Sequence, residues 1–363
     1  MTTDNPADEL IRASACVEID DRCAEAIRQA CRRQRDWSRT IREAELHGMA
    51  PWLHKRIGDA DAGIPEDIGR KLSALAFRHA DAIRIRTRAL LEITEQLRLQ
   101  GIDMLVLKGA ALAHIVYERP GLRPMSDIDV LVSPDQLHRA STIVSELGYQ
   151  TASGPRPPDD HHHLPTVSRT IDRLLVSIEI HHDALAPDNI GSIRGDALTE
   201  PARAFIVNDA TLHTLGHIDM LRHLCRHALE PRESMKIGSA LDIMLYASHY
   251  AGDIDWPRLK GEFPEVINML QLLGHLVPRP AGLEPYVPAT APAAPGGVGV
   301  GMIPLSRLRH RKDRTAKLFN PSDWWLRGFY NVPPGRSLAY TKAVRHPARI
   351  LFWLWRRMGK AGH

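Results

Sequence analysis

The chain has 363 residues, enough for two domains or for one domain with helical additions. Hydrophobic residues make up 44% and charged residues 25%, which excludes a disordered chain and fits an ordinary globular protein. The formal net charge of +4 is too small to mark a dedicated polyanion binder. The basic excess lies late, in residues 307–317 and from Arg345 to Lys360, where a solvated face is the default reading.

Residues 7–60 carry apolar positions at helical spacing through Ala24, Ile27, Ala30 and Cys31, then through Trp37, Ile41 and Ala44. Cys16, Cys23 and Cys31, seven and eight residues apart, are expected on one buried helical face. With Cys225 they form no Cys-x-x-Cys pair, so core thiols in a reducing cytoplasm are expected. The first 21 residues are acidic and have no apolar core, so no secretory leader is expected. A longer helix over about 65–100 stops at Gly101.

The pattern then changes. Asp103 to Leu107 reads as a buried strand, 110–118 as a helix and Ile128 to Val132 as a second strand. A helix over about 135–147 and a third strand, Leu174 to Ile180, follow, which indicates a sheet domain of α/β or α+β type. From about 200 to 275 helices are expected again, with Leu212, Leu215, Ile218, Leu221 and Leu224 as one stripe. Residues 278–304 are rich in Pro, Gly and Ala and read as a mobile linker. The expected organisation is thus a helical segment 1–64, a core 65–200, helices 201–277, the linker, and a basic segment 305–363 containing several tryptophans.

The chemistry concentrates in Leu107-Lys108-Gly109-Ala110 and in Arg123-Pro124-Met125-Ser126-Asp127-Ile128-Asp129. On a strand Asp127 and Asp129 point the same way, about 7 Å apart along the chain. Like charges that close repel, and a divalent cation removes the cost; magnesium favours such oxygen ligands together with phosphates. Two aspartates so spaced can also cap a turn and face solvent. Lys108-Gly109 tips the balance, because a strand-to-helix turn exposes backbone amides to an anion, and glycine lets a phosphate approach. With repulsion as their main interaction, either aspartate is expected to tolerate the amide without loss of metal-free stability.

These segments, together with Tyr117, Glu179-Ile180-His181, Leu241-Asp242-Ile243 and Asp255-Trp256, resemble the uncharacterised bacterial nucleotidyltransferase family of the DNA polymerase β-like superfamily, over roughly residues 36–260. The resemblance implies an α+β core, a small mixed sheet flanked by helices, with helical additions at both ends. It implies an enzyme that binds an NTP, ATP first of all, through two magnesium (or manganese) ions held by Asp127, Asp129 and Glu179. NMP would pass to a hydroxyl or similar group and pyrophosphate would leave. Lys108, the Gly109 amide, Arg123, Ser126 and His181 would contact nucleotide. Peptide natural products, saccharides, small molecules and proteins are the acceptors considered, and no DNA duplex is expected. Phosphoryl transfer, or a nucleotide-binding antitoxin-like regulator without turnover, are the alternatives.

Other histidines read as structural. His161, His162 and His163 are consecutive and suit a polar loop better than zinc, and His223 with His227 lacks a third ligand. Trp324, Trp325, Trp353 and Trp355 lie among arginines. A helix packed on the core is the first reading there; an interfacial membrane helix and a stacking surface for nucleic acid are the alternatives.

Overall fold

Capping residues set where the N-terminal helices begin. The computed structural model describes residues 5–151, 162–185, 191–229, 235–288, 321, 323–333 and 335–352. Asn5, Asp20 and Asp36 each accept from a first-turn amide and open α1 (Pro6–Ser14), α2 (Asp21–Arg33) and α3 (Trp37–Leu46). Proline opens α4 (Ala50–Asp59) instead, and the Trp52 indole donates to the Ser14 carbonyl at 2.9 Å, tying α4 to α1. The cysteines do not share one helix: Asp20 restarts the chain, which leaves Cys16 buried in the turn before α2. The 34-residue α5 (Glu66–Leu99) ends at Gly101, whose φ of 66° allows the Ile102 amide to reach the Leu97 carbonyl.

The sheet has seven strands in the order β3-β4-β5-β2-β1-β7-β6. They are β1 (Met104–Val106), β2 (Asp127–Val132), β3 (Gln150–Thr151), β4 (Val167–Ile171), β5 (Leu174–His181), β6 (Arg203–Val207) and β7 (Ala210–Thr214). β2 is the middle strand, parallel to β5 and antiparallel to β1. Its residues Ile128 to Val132 are all buried, which explains why apolar side chains occupy both faces there. Helices α6 (Lys108–Ile115) and α7 (Leu137–Glu146) fill the connections around it. This mixed α+β architecture agrees with the expected fold.

The sheet does not stop at residue 200. Residues 203–214 form the β6–β7 hairpin where helices were expected, and Leu212 belongs to a strand. Its turn is Asn208-Asp209, with φ of 48° and 67°; Asn and Asp tolerate this conformation without the usual glycine signal. Along β7 burial alternates, with Leu212 and Thr214 inward and Thr211 and His213 outward. The helical stripe begins only with α8 (His217–His227), followed by α9 (Ile237–His249), α10 (Trp256–Glu262) and α11 (Pro264–Leu273).

The first part of the expected linker is packed. Leu283 and Val287 are buried, and Tyr286 stacks on Trp256 with ring centroids 4.9 Å apart. These apolar anchors hold residues 278–288; residues 289–304, the basic run 307–317, His161 and Trp353 to Lys360 lie outside the described residues. Beyond them α12 (Asp323–Tyr330) packs on α11, with Trp324 and Trp325 buried as the packed-helix reading expects. Among the described residues no helix is long and apolar enough to cross a membrane.

Candidate active site

The parallel pairing of β2 with β5 sets Asp127 opposite Ser177, Asp129 opposite Glu179 and Leu131 opposite His181. Residues paired in this way project to the same face, so three acidic side chains from two strands meet above the middle of the sheet. They open onto a cleft of about 490 Å³, a volume suited to a small-molecule ligand. Three regions line it: Glu45, His47 and Gly48 at the end of α3, the sheet and its Lys108 turn, and His227, Ala228, Lys236 and Asp242 on the α8–α9 side.

Asp129 is the most enclosed of the three, at 3% exposure. Its Oδ1 accepts from Lys108 Nζ at 2.8 Å and pairs with His181 Nε2 at 2.9 Å. Burial alone would raise its pKa, but Lys108 and then His181 outweigh burial and hold it well below the carboxylate range. Burial first, and then the charges of Asp129 and Glu179, push Asp127 above its ordinary value. Glu179 is lowered, chiefly by the His181 hydrogen bond, and Thr166 donates to its Oε1 at 3.0 Å.

The donor set is one that could hold a metal ion. Ligand atoms of Asp129, Glu179 and His181 all lie within 4.8 Å of one another, as a metal site requires. The carboxylates suit magnesium or manganese; the imidazole extends the set towards metals that accept nitrogen. The Asp127 pKa is raised first by burial and then by the charges of Asp129 and Glu179, and a cation would offset the second cause.

Of the residues expected on nucleotide, Lys108, Gly109, Arg123 and Ser126 line the cleft and His181 does not. Lys108 sits at φ 44°, a backbone conformation that a lysine rarely adopts, and its ammonium is directed to Asp129. Arg123 is paired with Asp242 of α9, its Nη2 donating to Oδ2 at 2.8 Å and its Nε lying 3.2 Å from the same oxygen. Tyr117 donates its hydroxyl to Asp242 Oδ1 at 2.6 Å. Gly109 is needed because Arg123 passes over it: a Cβ there would stand 1.8 Å from Arg123 Nη1. The close approach that glycine permits is therefore made by a guanidinium. His181 has no exposed surface and acts through Asp129 and Glu179 instead of reaching into the cleft. Ser126 is exposed at the cleft, and its backbone carbonyl accepts from Arg86 of α5 at 3.2 Å.

Asp242, Arg86 and the histidine loop are additions to the set read from sequence. His163 bridges to His181 and its Nε2 lies 4.0 Å from Glu179 Oε2, while the His162 ring is 5.3 Å from the His181 ring. His162 and His163 thus stand beside His181 and Glu179, although neither lines the cleft. His223 keeps its structural role: it is buried, with Nδ1 2.7 Å from the Ala184 carbonyl, and burial first and Lys108 second hold it well below its usual pKa.

A mixed sheet thus sets a carboxylate cluster beside a cleft that could take a small-molecule ligand. The family described as uncharacterised nucleotidyltransferase matches residues 33–268, about two thirds of the chain, and the chain belongs to it. The match runs from the end of α2 into α11, so it takes in the whole sheet and every wall of the cleft. No curated protein and no solved structure gives a significant match.

Proposed function

We propose that the chain transfers NMP from an NTP, ATP being the first candidate, to a hydroxyl or similar group of a peptide, saccharide or other small acceptor, releasing pyrophosphate. The observation that carries this reading is the β2–β5 register, which puts Asp127, Asp129 and Glu179 on one face above the cleft. These three would hold magnesium or manganese. When bound, the cation supplies positive charge to the phosphates and lowers the pKa of an acceptor hydroxyl. Thr166 and His181 fix the Glu179 carboxylate, and Lys108 keeps Asp129 ionised and oriented.

Phosphate charge needs a different partner, since Lys108 and Arg123 both face carboxylates. Lys236, exposed at the start of α9, lines the same cleft from the opposite wall. It would meet the β- and γ-phosphates. Lys236→Gln is expected to weaken binding of a fluorescent NTP by about tenfold, the worth of one charge-assisted contact, with NMP binding unchanged and Lys236→Arg near wild type. Equal losses for NTP and NMP would show that Lys236 shapes the cleft without touching the outer phosphates.

The reaction type is tested by incubating the full chain with each labelled NTP and magnesium. Pyrophosphate with a labelled product is expected. Phosphate or NDP would establish phosphoryl transfer instead. The Lys108–Asp129 ion pair favours one rival, a nucleotide-binding regulator, because it already neutralises a carboxylate; saturable binding without any product would establish that reading.

A further inference from the structure

The backbone is helical from 339 to 352, with a π-turn at Thr341–Arg345, and this segment shows two apolar faces. One packs inward through Leu338, Thr341, His346 and Ile350, and His346 Nδ1 lies 2.9 Å from the Tyr330 hydroxyl. The other faces outward. Tyr340 is 65% exposed, Val344 47%, Leu351 67% and Phe352 48%. The four- and seven-residue spacing of Tyr340, Val344 and Leu351 is that of a helical stripe, with Phe352 beside it, and Pro347 and Ala348, also exposed, fill the gap between them. Among the described residues nine large hydrophobic side chains are exposed, and four of them fall in this one stretch. The others, such as Phe77 and Ile206, lie on separate elements.

Charge decides what such a face suits. From Trp324 to the last residue of the sequence there are eight Lys or Arg and no Asp or Glu. The Lys342 ammonium reaches back 2.6 Å to Asp323, and Arg345 stacks over the Tyr330 ring, so both brace the helix against α12. One acid against eight bases leaves the segment strongly positive.

We infer that this C-terminal helix is a docking surface for an anionic lipid bilayer, lying in the plane of the interface with its outer stripe among the acyl chains. An apolar stripe carrying aromatic residues, flanked by cations and free of acids, is what binds at the headgroup boundary. The segment is too short and too charged to span, and interfacial binding does not require spanning. Nucleic acid fits the face less well, since Val344, Ala348 and Leu351 offer no ring to stack on a base. The face belongs to a part of the chain beyond residue 268, where the family match ends, so it adds a location to the transferase without relying on its chemistry.

The test uses the full chain in sedimentation with vesicles of phosphatidylcholine alone or mixed with phosphatidylglycerol. Binding is expected only with the anionic mixture, falling by roughly tenfold or more as salt is raised, as the loss of a few lysine or arginine contacts predicts. The exposed double variant Val344→Glu/Leu351→Glu is expected to stay in the supernatant while keeping the wild-type circular dichroism spectrum. Tryptophan emission should shift to the blue on vesicle binding in the wild type alone. The inference is overturned if the wild type ignores anionic vesicles, if the double variant binds them equally, or if the segment retains single-stranded RNA in place of lipid. A double variant that fails to fold is replaced by Leu351→Ser/Phe352→Ser, read in the same way.

Discussion

Asp127→Asn and Asp129→Asn should both remove NTP-dependent pyrophosphate release, by roughly a thousandfold or about 4 kcal/mol of transition-state stabilisation, yet differ in stability. Repulsion between adjacent carboxylates, taken alone, predicts that either amide is harmless to the metal-free fold. The structure separates the two. Asp127 is raised by burial and by its acidic neighbours, so its amide relieves strain, and metal-free stability should hold or rise by up to about 1 kcal/mol. Asp129 is the buried partner of Lys108, with His181 on the same oxygen. Removing its charge takes the paired carboxylate from an enclosed ammonium, a change that costs ~3–5 kcal/mol in buried pairs. Asparagine keeps an oxygen for Lys108, so about 2–3 kcal/mol is the expected loss. Urea unfolding with a chelator present, followed by tryptophan emission, measures the difference. Equal stability of the two variants would mean that the Lys108–Asp129 contact is not made in solution, and retained turnover in either would remove the aspartates from the proposed chemistry.

Much of this site is visible before the chain is folded, and the reason is local. β1, β2 and β5 are short apolar runs bounded by Gly or Ser-Pro, or runs with period-two alternation; alternation sets Asp127 with Asp129, and the family resemblance adds Glu179. What sequence cannot supply is the partner of each charge. Lys108 beside Gly109 reads as a phosphate contact because that role needs only local geometry. Its actual partner, Asp129, is 21 residues away across β1 and β2. Arg123 and Asp242 are 119 residues apart, and nothing in the spacing joins them. The β6–β7 hairpin was hidden by coincidence: Leu212, Leu215 and Ile218 fall three apart, so a strand ending and a helix beginning imitate one helical stripe. A loop brought His163 to Glu179, and loops have no period to read.

The Arg123–Asp242 pair carries the largest expected effect on the fold. It joins the turn before β2 to α9, and so ties one wall of the cleft to the other. Asp242 is 4% exposed and has Arg123 and Tyr117 as its partners. Arg123→Ala removes the only cation beside that carboxylate among the described residues, and a loss of about 3–5 kcal/mol is expected from the uncompensated buried charge. Gly109→Ala reaches the same contact from the other side. A methyl group 1.8 Å from Nη1 and 2.5 Å from Cζ must displace the guanidinium, which is held by Asp242 and by the Pro124 carbonyl. Roughly 2–4 kcal/mol should be lost, because moving the head breaks the charged hydrogen bonds. The two changes share one cause, so they should not add: with Arg123 already shortened, the alanine at 109 has nothing to strike. The double variant is therefore expected to match Arg123→Ala within about 0.5 kcal/mol in urea unfolding. Additive losses would show that Gly109 serves something other than the passage of Arg123, such as an anion brought close to the backbone of the turn.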